Sequence, residues 1–391
     1  MSNCKAFYNL DDSFFETKNC ANTALEIAQQ PELWNETMKI LLENSQNIQT
    51  FIDHLGDLNN YRIILTGAGS SAFIGEALAL FLAKSSALKC EAIHTTDIVS
   101  APETVLFPDI PTVLISFARS GNSPESMGAV QYARKMVKNL YEAAIVCDGS
   151  SKLFNLTKEN KKSLVLVMPE GSNDKGFAMT SSFSCMLLAG FVLLNNKKMD
   201  EIALDVKKLS ENIEKESFSL SEKALKCAKT GFDRAVYLAS GAFKGLAHEA
   251  SLKMLELTNG EVNTSYNSPT GFRHGPKAVV KEKTMSFHFI SSDPFSLKYD
   301  IDLLNEVYRQ KNKNTVVAVC GENADADEVI KLAYSGYGFA SELCIGISGL
   351  VFFQMLAMFK SLELGITTDN PSPGGQVNRV VKGVTIYSLE G

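Results

Sequence analysis

From Arg62 onward, short apolar runs alternate with amphipathic segments. The runs Ile63–Thr66, Cys90–Ile93, Thr112–Ser116, Ala143–Val146 and Leu164–Val167 have strand length, and helical periodicity fills Phe73–Ala83, Pro124–Val137 and Ser182–Leu194. Strands alternating with helices predict a parallel sheet covered on both faces, the doubly wound α/β class. A charged helical stretch, 200–230, then reads as a linker, and the same grammar starts again. Gly69 and Gly241, Thr112 and Thr284, and Ala143 and Thr315 open equivalent loops or strands, each pair 172 positions apart by subtraction of the residue numbers. Residues 1–60 are polar and helical in period, interrupted at Gln29-Gln30-Pro31. The predicted plan is a helical arm (1–60), a first doubly wound domain (61–199), the linker, and a second such domain (231–391).

In the second half, the segment after the run at Ala235–Ala239 carries Glu249, Lys253 and Glu256 at i, i+4 and i+7, one face of a helix. A solvated face normally broadens into further charge. At about 100° per residue, this stripe is instead bounded by Leu246, Ala250 and Leu257 on one side and by Leu252 and Leu255 on the other. The pattern predicts a partly desolvated cleft, the setting acid–base groups use. Downstream, Arg273-His274-Gly275-Pro276 wedges a histidine between turn residues. His54, His94 and His288 read as surface or hydrogen-bonding residues, and His248 points about 100° away from Glu249.

The first half carries different chemistry. Thr66-Gly-Ala-Gly-Ser-Ser-Ala72 and Ser116-Phe-Ala-Arg-Ser-Gly-Asn-Ser-Pro-Glu125 fall at strand-to-helix turns, and Thr180-Ser-Ser182 opens another helix. Ser123 suits an N-cap and Pro124 the first helical position, so amides and hydroxyls converge on a positive helix end. The phosphate candidates are Ser70, Ser71, Ser116, Arg119, Ser120, Asn122, Ser123 and Thr180. A dinucleotide reading of Gly67-x-Gly69-x-x-Ala72, with Glu91 or Asp97 toward a ribose, also fits; the Ser-Gly-Asn-Ser loop favours a monophosphate. The corresponding loop of the second half, Ser291-Ser-Asp-Pro-Phe295, places a carboxylate and a proline where Gly121-Asn122 stood. One half looks built to hold phosphate, the other to move protons.

Composition narrows the partners. With 391 residues and a net charge of -6, the chain offers no basic footprint for nucleic acid. The eight cysteines are scattered, without metal-ligand spacing, and point to a reducing cytosol. Asp11, Asp12 and Glu16 stand where a signal peptide would be basic and then apolar. The apolar stretch Cys344–Phe359 is broken by Ser348 and Gln354, and no membrane span is expected. No metal and no cofactor are expected. Lys382, in Gln376–Val384 after the Asn370-Pro-Ser-Pro turn, reads by itself as an ordinary exposed lysine.

Ser120-Gly-Asn-Ser-Pro-Glu125, Ser268-Pro-Thr-Gly-Phe-Arg-His-Gly-Pro276, Asn370-Pro-Ser-Pro373 and the segment Thr23–Trp34 together resemble the sugar isomerase (SIS) domain proteins. Within these, the likeness is to the AgaS-type galactosamine-6-phosphate deaminases, also called tagatose-6-phosphate ketose/aldose isomerases. More distantly, the chain resembles the isomerase half of glucosamine-6-phosphate synthase, with two SIS domains in tandem. The resemblance implies phosphate binding by Ser71 and the Ala118–Ser123 loop, where Ala118 and Arg119 stand in place of a serine and a glutamine. It implies Glu256 as the base between C1 and C2, Lys253 and Glu249 as its companions, and Lys382 as a lysine near the reacting carbonyl. His274 would open the sugar ring from a neighbouring subunit, in a homodimer or larger homo-oligomer. Deamination of an amino-sugar phosphate is the implied reaction. Plain isomerisation and phosphosugar sensing are the alternatives, and the Glu249/Lys253/Glu256 stripe argues against sensing.

Overall fold

The computed structural model describes residues 2–310, 312–381 and 383–389. Among the described residues, ten strands form two five-stranded parallel sheets. The first holds β1 (Arg62–Thr66), β2 (Cys90–Ala92), β3 (Thr112–Ala118), β4 (Leu140–Val146) and β5 (Ser163–Val167), in the order β2-β1-β3-β4-β5. The second holds β6 (Arg234–Ala239), β7 (Asn263–Asn267), β8 (Thr284–Phe289), β9 (Thr315–Cys320) and β10 (Glu328–Lys331), in the order β10-β9-β8-β6-β7. Read from the other edge the two orders are the same, so the second sheet repeats the first strand for strand. This is the flavodoxin-like arrangement, with its switch point between β1 and β3 and again between β6 and β8.

The repeat extends to packing. Gly69 and Gly241 both have positive φ, 55° and 57°, where the chain turns from the first strand of each copy toward its helix. In the first copy the buried helix Ser181–Leu194 rests Gly190 against Phe117 of β3; a Cβ there would meet the ring at 3.0 Å. In the second, the helix Ser341–Glu363 rests Gly349 against Phe289 of β8, where a Cβ would meet the ring at 2.4 Å. Phe117 and Phe289 are themselves 172 positions apart by subtraction. In both copies a glycine lets a central helix pack closely over a sheet aromatic; at Gly190 the tightest neighbour is Leu78, which a Cβ would meet at 2.5 Å. Ser341–Glu363 is long and apolar enough to cross a membrane, but 94% of its most apolar stretch is buried inside the fold, which makes it a core helix.

The compact units are assembled from separated segments, where the sequence suggested four consecutive ones. One comprises Met1–Pro31, Lys175–Thr180 and Leu204–Gly374; the other comprises Glu32–Asp174, Ser181–Ala203 and Gly375–Gly391. Hydrogen bonds explain the exchanges. Asp369 accepts from the Asn22 and Thr23 amides at 3.0 and 2.9 Å, capping the helix Ala21–Ala28 and joining the first residues to the second sheet's unit. The buried Glu26 carboxylate accepts from the amides of Lys175 and, at 3.0 Å, Gly176. The C-terminal segment belongs with the first sheet. Arg379 Nε donates to the Asp174 carbonyl at 3.0 Å, Arg119 Nη2 donates to the Arg379 carbonyl at 2.8 Å, and Tyr132 donates to the Tyr387 carbonyl.

His288, expected at the surface or in a hydrogen bond, lies buried in β8 with its Nε2 3.3 Å from Ser286 Oγ. Burial pushes its pKa down from 6.5 to about 3. Unfolding releases an imidazole that binds a proton the folded state refuses, so stability is lost as pH falls below about 6.5. At pH 5 the expected loss is about 2 kcal/mol from this residue. His288→Met should flatten the acid limb of the stability profile between pH 6.5 and 5, measured by urea denaturation at each pH.

Candidate active site

The helix Phe243–Leu257 packs against β6, β7 and Ser341–Glu363, and its stripe grades from core to surface. Glu249 is fully buried, Lys253 is 1% exposed, and the side chain of Glu256 is 25% exposed. Lys253 Nζ stands 3.4 Å from Glu249 Oε1 and donates to Glu256 Oε2 at 2.5 Å. The stripe is therefore more deeply buried than a cleft lining at its first two positions and reaches solvent only at Glu256. Burying an ammonium without counterions is costly, and the two carboxylates beside Lys253 offset that cost. The arrangement is one solvent-accessible carboxylate, Glu256, held by a buried lysine.

His274 occupies a different setting. It follows the short helix Pro269–Phe272, which Ser268 caps by accepting from the Gly271 amide at 3.2 Å, and precedes Gly275, whose φ is 117°. Its side chain is exposed, and no hydrogen bond among the described residues joins it to the buried stripe. The turn is braced from both sides: Arg273 Nε lies 2.7 Å from Glu306 Oε2, and Lys277 pairs with the other oxygen of Glu306. The Lys277 hydrogen bond, ahead of the Arg273 contribution, holds the Glu306 carboxyl below its usual range.

In the first sheet's unit, Thr66 of β1 pairs in register with Ser116 of β3, which brings the two candidate phosphate loops to adjacent strand ends. Ser70 and Ser71 form the first turn of the helix Ser70–Ser86; Ser123 caps Pro124–Met136, accepting from the Ser126 amide at 3.4 Å. Two helix N-termini thus meet at a topological switch point, the usual place for an anion in such folds. The Ser120–Ser123 loop is held in shape by its neighbour. Asn122 Nδ2 donates to the Ser120 carbonyl at 2.8 Å and Asn122 Oδ1 accepts from the Lys152 amide at 3.1 Å, so this side chain braces the loop. Gly121 has φ 57°, and a Cβ there would meet Ser151 Oγ at 2.4 Å.

The structure does not gather every candidate. Arg119 is buried and donates to the Arg379 carbonyl. The third hydroxyl-rich helix start is capped from within: Asp174 accepts from the amides of Ser181 and Ser182 at 3.1 and 3.0 Å. Thr180, immediately before, is buried and groups with the other unit. Lys382 lies outside the described residues. Sequence reasoning missed Asp174, because a cap seven residues ahead of its helix has no local spacing signature. Glu91, one ribose candidate of the dinucleotide reading, is an ion-pair partner of Arg62, with Nε 2.6 Å from Oε1. Among the described residues no three His, Cys, Asp or Glu side chains group as metal ligands.

Two copies of one doubly wound fold, with hydroxyl loops at a single switch point, match a known class. A SIS domain family model covers residues 58–195, the span of β1 to β5. The D-galactosamine-6-phosphate deaminase AgaS of Shewanella sp. (strain ANA-3) is 39% identical over 371 residues, 93% of this chain and 91% of that protein. A solved structure from Clostridium novyi NT, provisionally named a tagatose-6-phosphate ketose/aldose isomerase, has 42% identity and a TM-score of 0.92, covering 97% of this chain and 98% of that one. The tagatose-6-phosphate ketose/aldose isomerase structure from Escherichia coli has 34% identity and a TM-score of 0.87, covering 95% and 97%. The chain is a SIS-domain protein and belongs to the AgaS family.

The buried stripe makes a quantitative expectation. Lys253→Met leaves Glu249 buried without its cation and should destabilise by about 3–5 kcal/mol. Adding Glu249→Leu should recover part of that loss, giving a double-mutant cycle in urea denaturation far from additive. Additive losses would mean that the two groups do not interact.

Proposed function

We propose that this chain is a deaminating aldose–ketose isomerase that converts D-galactosamine-6-phosphate and water to tagatose-6-phosphate and ammonia. The observation that carries the reading is the Lys253 bridge, which leaves Glu256 as the one solvent-accessible carboxylate of a buried relay. The likeness to AgaS deaminases over nearly the whole chain supplies the substrate class.

Roles follow from chemistry. The amides and hydroxyls of Ser70, Ser71, Ser120 and Ser123 bind the phosphate, with Ser116 and Asn122 shaping the loop and Arg119 tying it to the C-terminal segment. Binding energy far from the reacting carbons orients them. Glu256 removes the C2 proton and returns it at C1, while Lys253 holds the carboxylate and its charge balances the enamine-like intermediate. The resulting C2 ketimine is hydrolysed, and nitrogen leaves as ammonia. His274, exposed on its own chain, serves the site of a neighbouring subunit by moving the proton that opens the pyranose. A second reading, isomerisation without loss of nitrogen, uses the same proton shuttle and is the one named for the two solved relatives.

Ammonia and ketose, measured together from galactosamine-6-phosphate, test the reading; both should appear in equal amounts. Silence on both, with ketose formed from the non-amino aldose phosphate, transfers the assignment to plain isomerisation. Glu256→Gln should lower kcat by about two to four orders of magnitude while phosphosugar binding by calorimetry stays within a few-fold. Subunit sharing has its own check. Glu256→Gln and His274→Asn proteins, each inactive, should regain activity on mixing and reassembly, toward roughly a quarter of the sites for a dimer; no recovery would place His274 in its own chain's site.

A further inference from the structure

The second sheet has its own switch point, between β6 and β8, and a carboxylate from within the chain occupies it. Asp300 lies on the helix Ser296–Gln310 and is 2% exposed. Its Oδ1 accepts from Ser240 Oγ at 2.5 Å, and its Oδ2 accepts from the Ser291 amide at 2.8 Å. Ser240 follows the last residue of β6 and Ser291 lies just beyond β8, so one side chain ties the two strand ends that flank the crevice. Tyr334 adds a bond to the Ile290 carbonyl at 2.5 Å beside it. Both Asp300 oxygens accept, the pattern of an ionised carboxylate.

The repeat shows what has been substituted. The helices Pro124–Met136 and Ser296–Gln310 begin at equivalent positions, 172 residues apart by subtraction, and at that spacing Asp300 corresponds to Gly128. The first copy has no side chain at this point, and Ile386 and Val99 pack there instead: a Cβ on Gly128 would meet each of them at 3.0 Å. The second copy places an anion there. Burial raises the Asp300 carboxyl, and the bonds from Ser240 and Ser291 pull it back.

Ser240 and Gly241 form the turn that launches Phe243–Leu257, the helix of Glu249, Lys253 and Glu256. We infer that Asp300 is a positioning residue: an internal anion that ties the ends of β6 and β8 and so fixes the start of the acid–base helix. The catalytic half of this inference rests on the proposed function; the filling of the crevice does not.

The experiment compares Asp300→Gly, Asp300→Asn and Ser240→Ala with the unaltered protein, with and without sodium formate, using sodium chloride as the ionic-strength control. Thermal midpoint, kcat and KM are the readouts. Asp300→Gly, which restores the residue found in the first copy, should lower the midpoint, and formate but not chloride should raise it again, with no such rise in the unaltered protein. In the same variant kcat should fall between about tenfold and a hundredfold, the scale of a displaced catalytic group, with KM within about twofold, and formate should restore part of it. Ser240→Ala should reproduce a fraction of the kcat loss in a protein that folds normally, which keeps the test decisive should Asp300→Gly fold poorly. A midpoint indifferent to formate in Asp300→Gly, or in Asp300→Asn a normal kcat at a lowered midpoint, overturns the inference. Inactivity of the unaltered protein toward amino-sugar phosphates would sink the functional reading and the positioning role, while the formate response of the midpoint still decides whether the crevice holds an anion.

Discussion

A positive charge in the core of the second domain constrains much of what surrounds it. The Lys253 ammonium has almost no contact with water, and Glu249 and Glu256 are the counterions that make its burial tolerable. To keep the three groups in line the helix must be rigid and packed on several sides, which β6, β7 and Ser341–Glu363 provide. The same requirement fixes which end of the stripe meets solvent: with Glu249 wholly buried, only Glu256 reaches it.

The two sheets share strand order and central packing yet answer the switch-point question in opposite ways. The first uses small residues and helix N-termini, with Ser70 and Ser71 opening one helix and Ser123 capping the next. The second ties its two strand ends together with Asp300 and puts its ionisable groups along the helix instead. Division of labour between tandem copies is then a matter of a few side chains placed on an unchanged backbone plan.

Much of this was legible beforehand because it depends on local periodicity. Strand runs such as Val113–Ile115 and the i, i+4, i+7 spacing of Glu249, Lys253 and Glu256 carry their own phase, so the first sheet and the stripe followed from the residues alone, while the edge strands β7 and β10 of the second sheet were not read. The 172-residue register held from Gly69 and Gly241 to Phe117 and Phe289. What stayed hidden depends on contacts between residues far apart in sequence. Asp369 at the cap of Ala21–Ala28, Glu26 beneath Gly176, and Arg379 over Asp174 each join segments more than a hundred residues apart, and no window of sequence contains both partners. The consecutive-domain plan missed the exchanged segments for that reason, and the depth of Glu249 escaped notice because a helical wheel gives direction without distance to solvent.

The C-terminal segment has one more implication. The described residues of the C-terminal segment, 375–381 and 383–389, group with the first sheet, through Arg379 and through Tyr132 to the Tyr387 carbonyl, although they are translated after every strand of the second. During synthesis the first sheet therefore emerges from the ribosome long before the piece that completes it, with Gly128 not yet packed by Ile386 and Tyr132 not yet bonded to the Tyr387 carbonyl. Order of manufacture and order of assembly run differently in this chain. The first domain to be made cannot be the first to be finished.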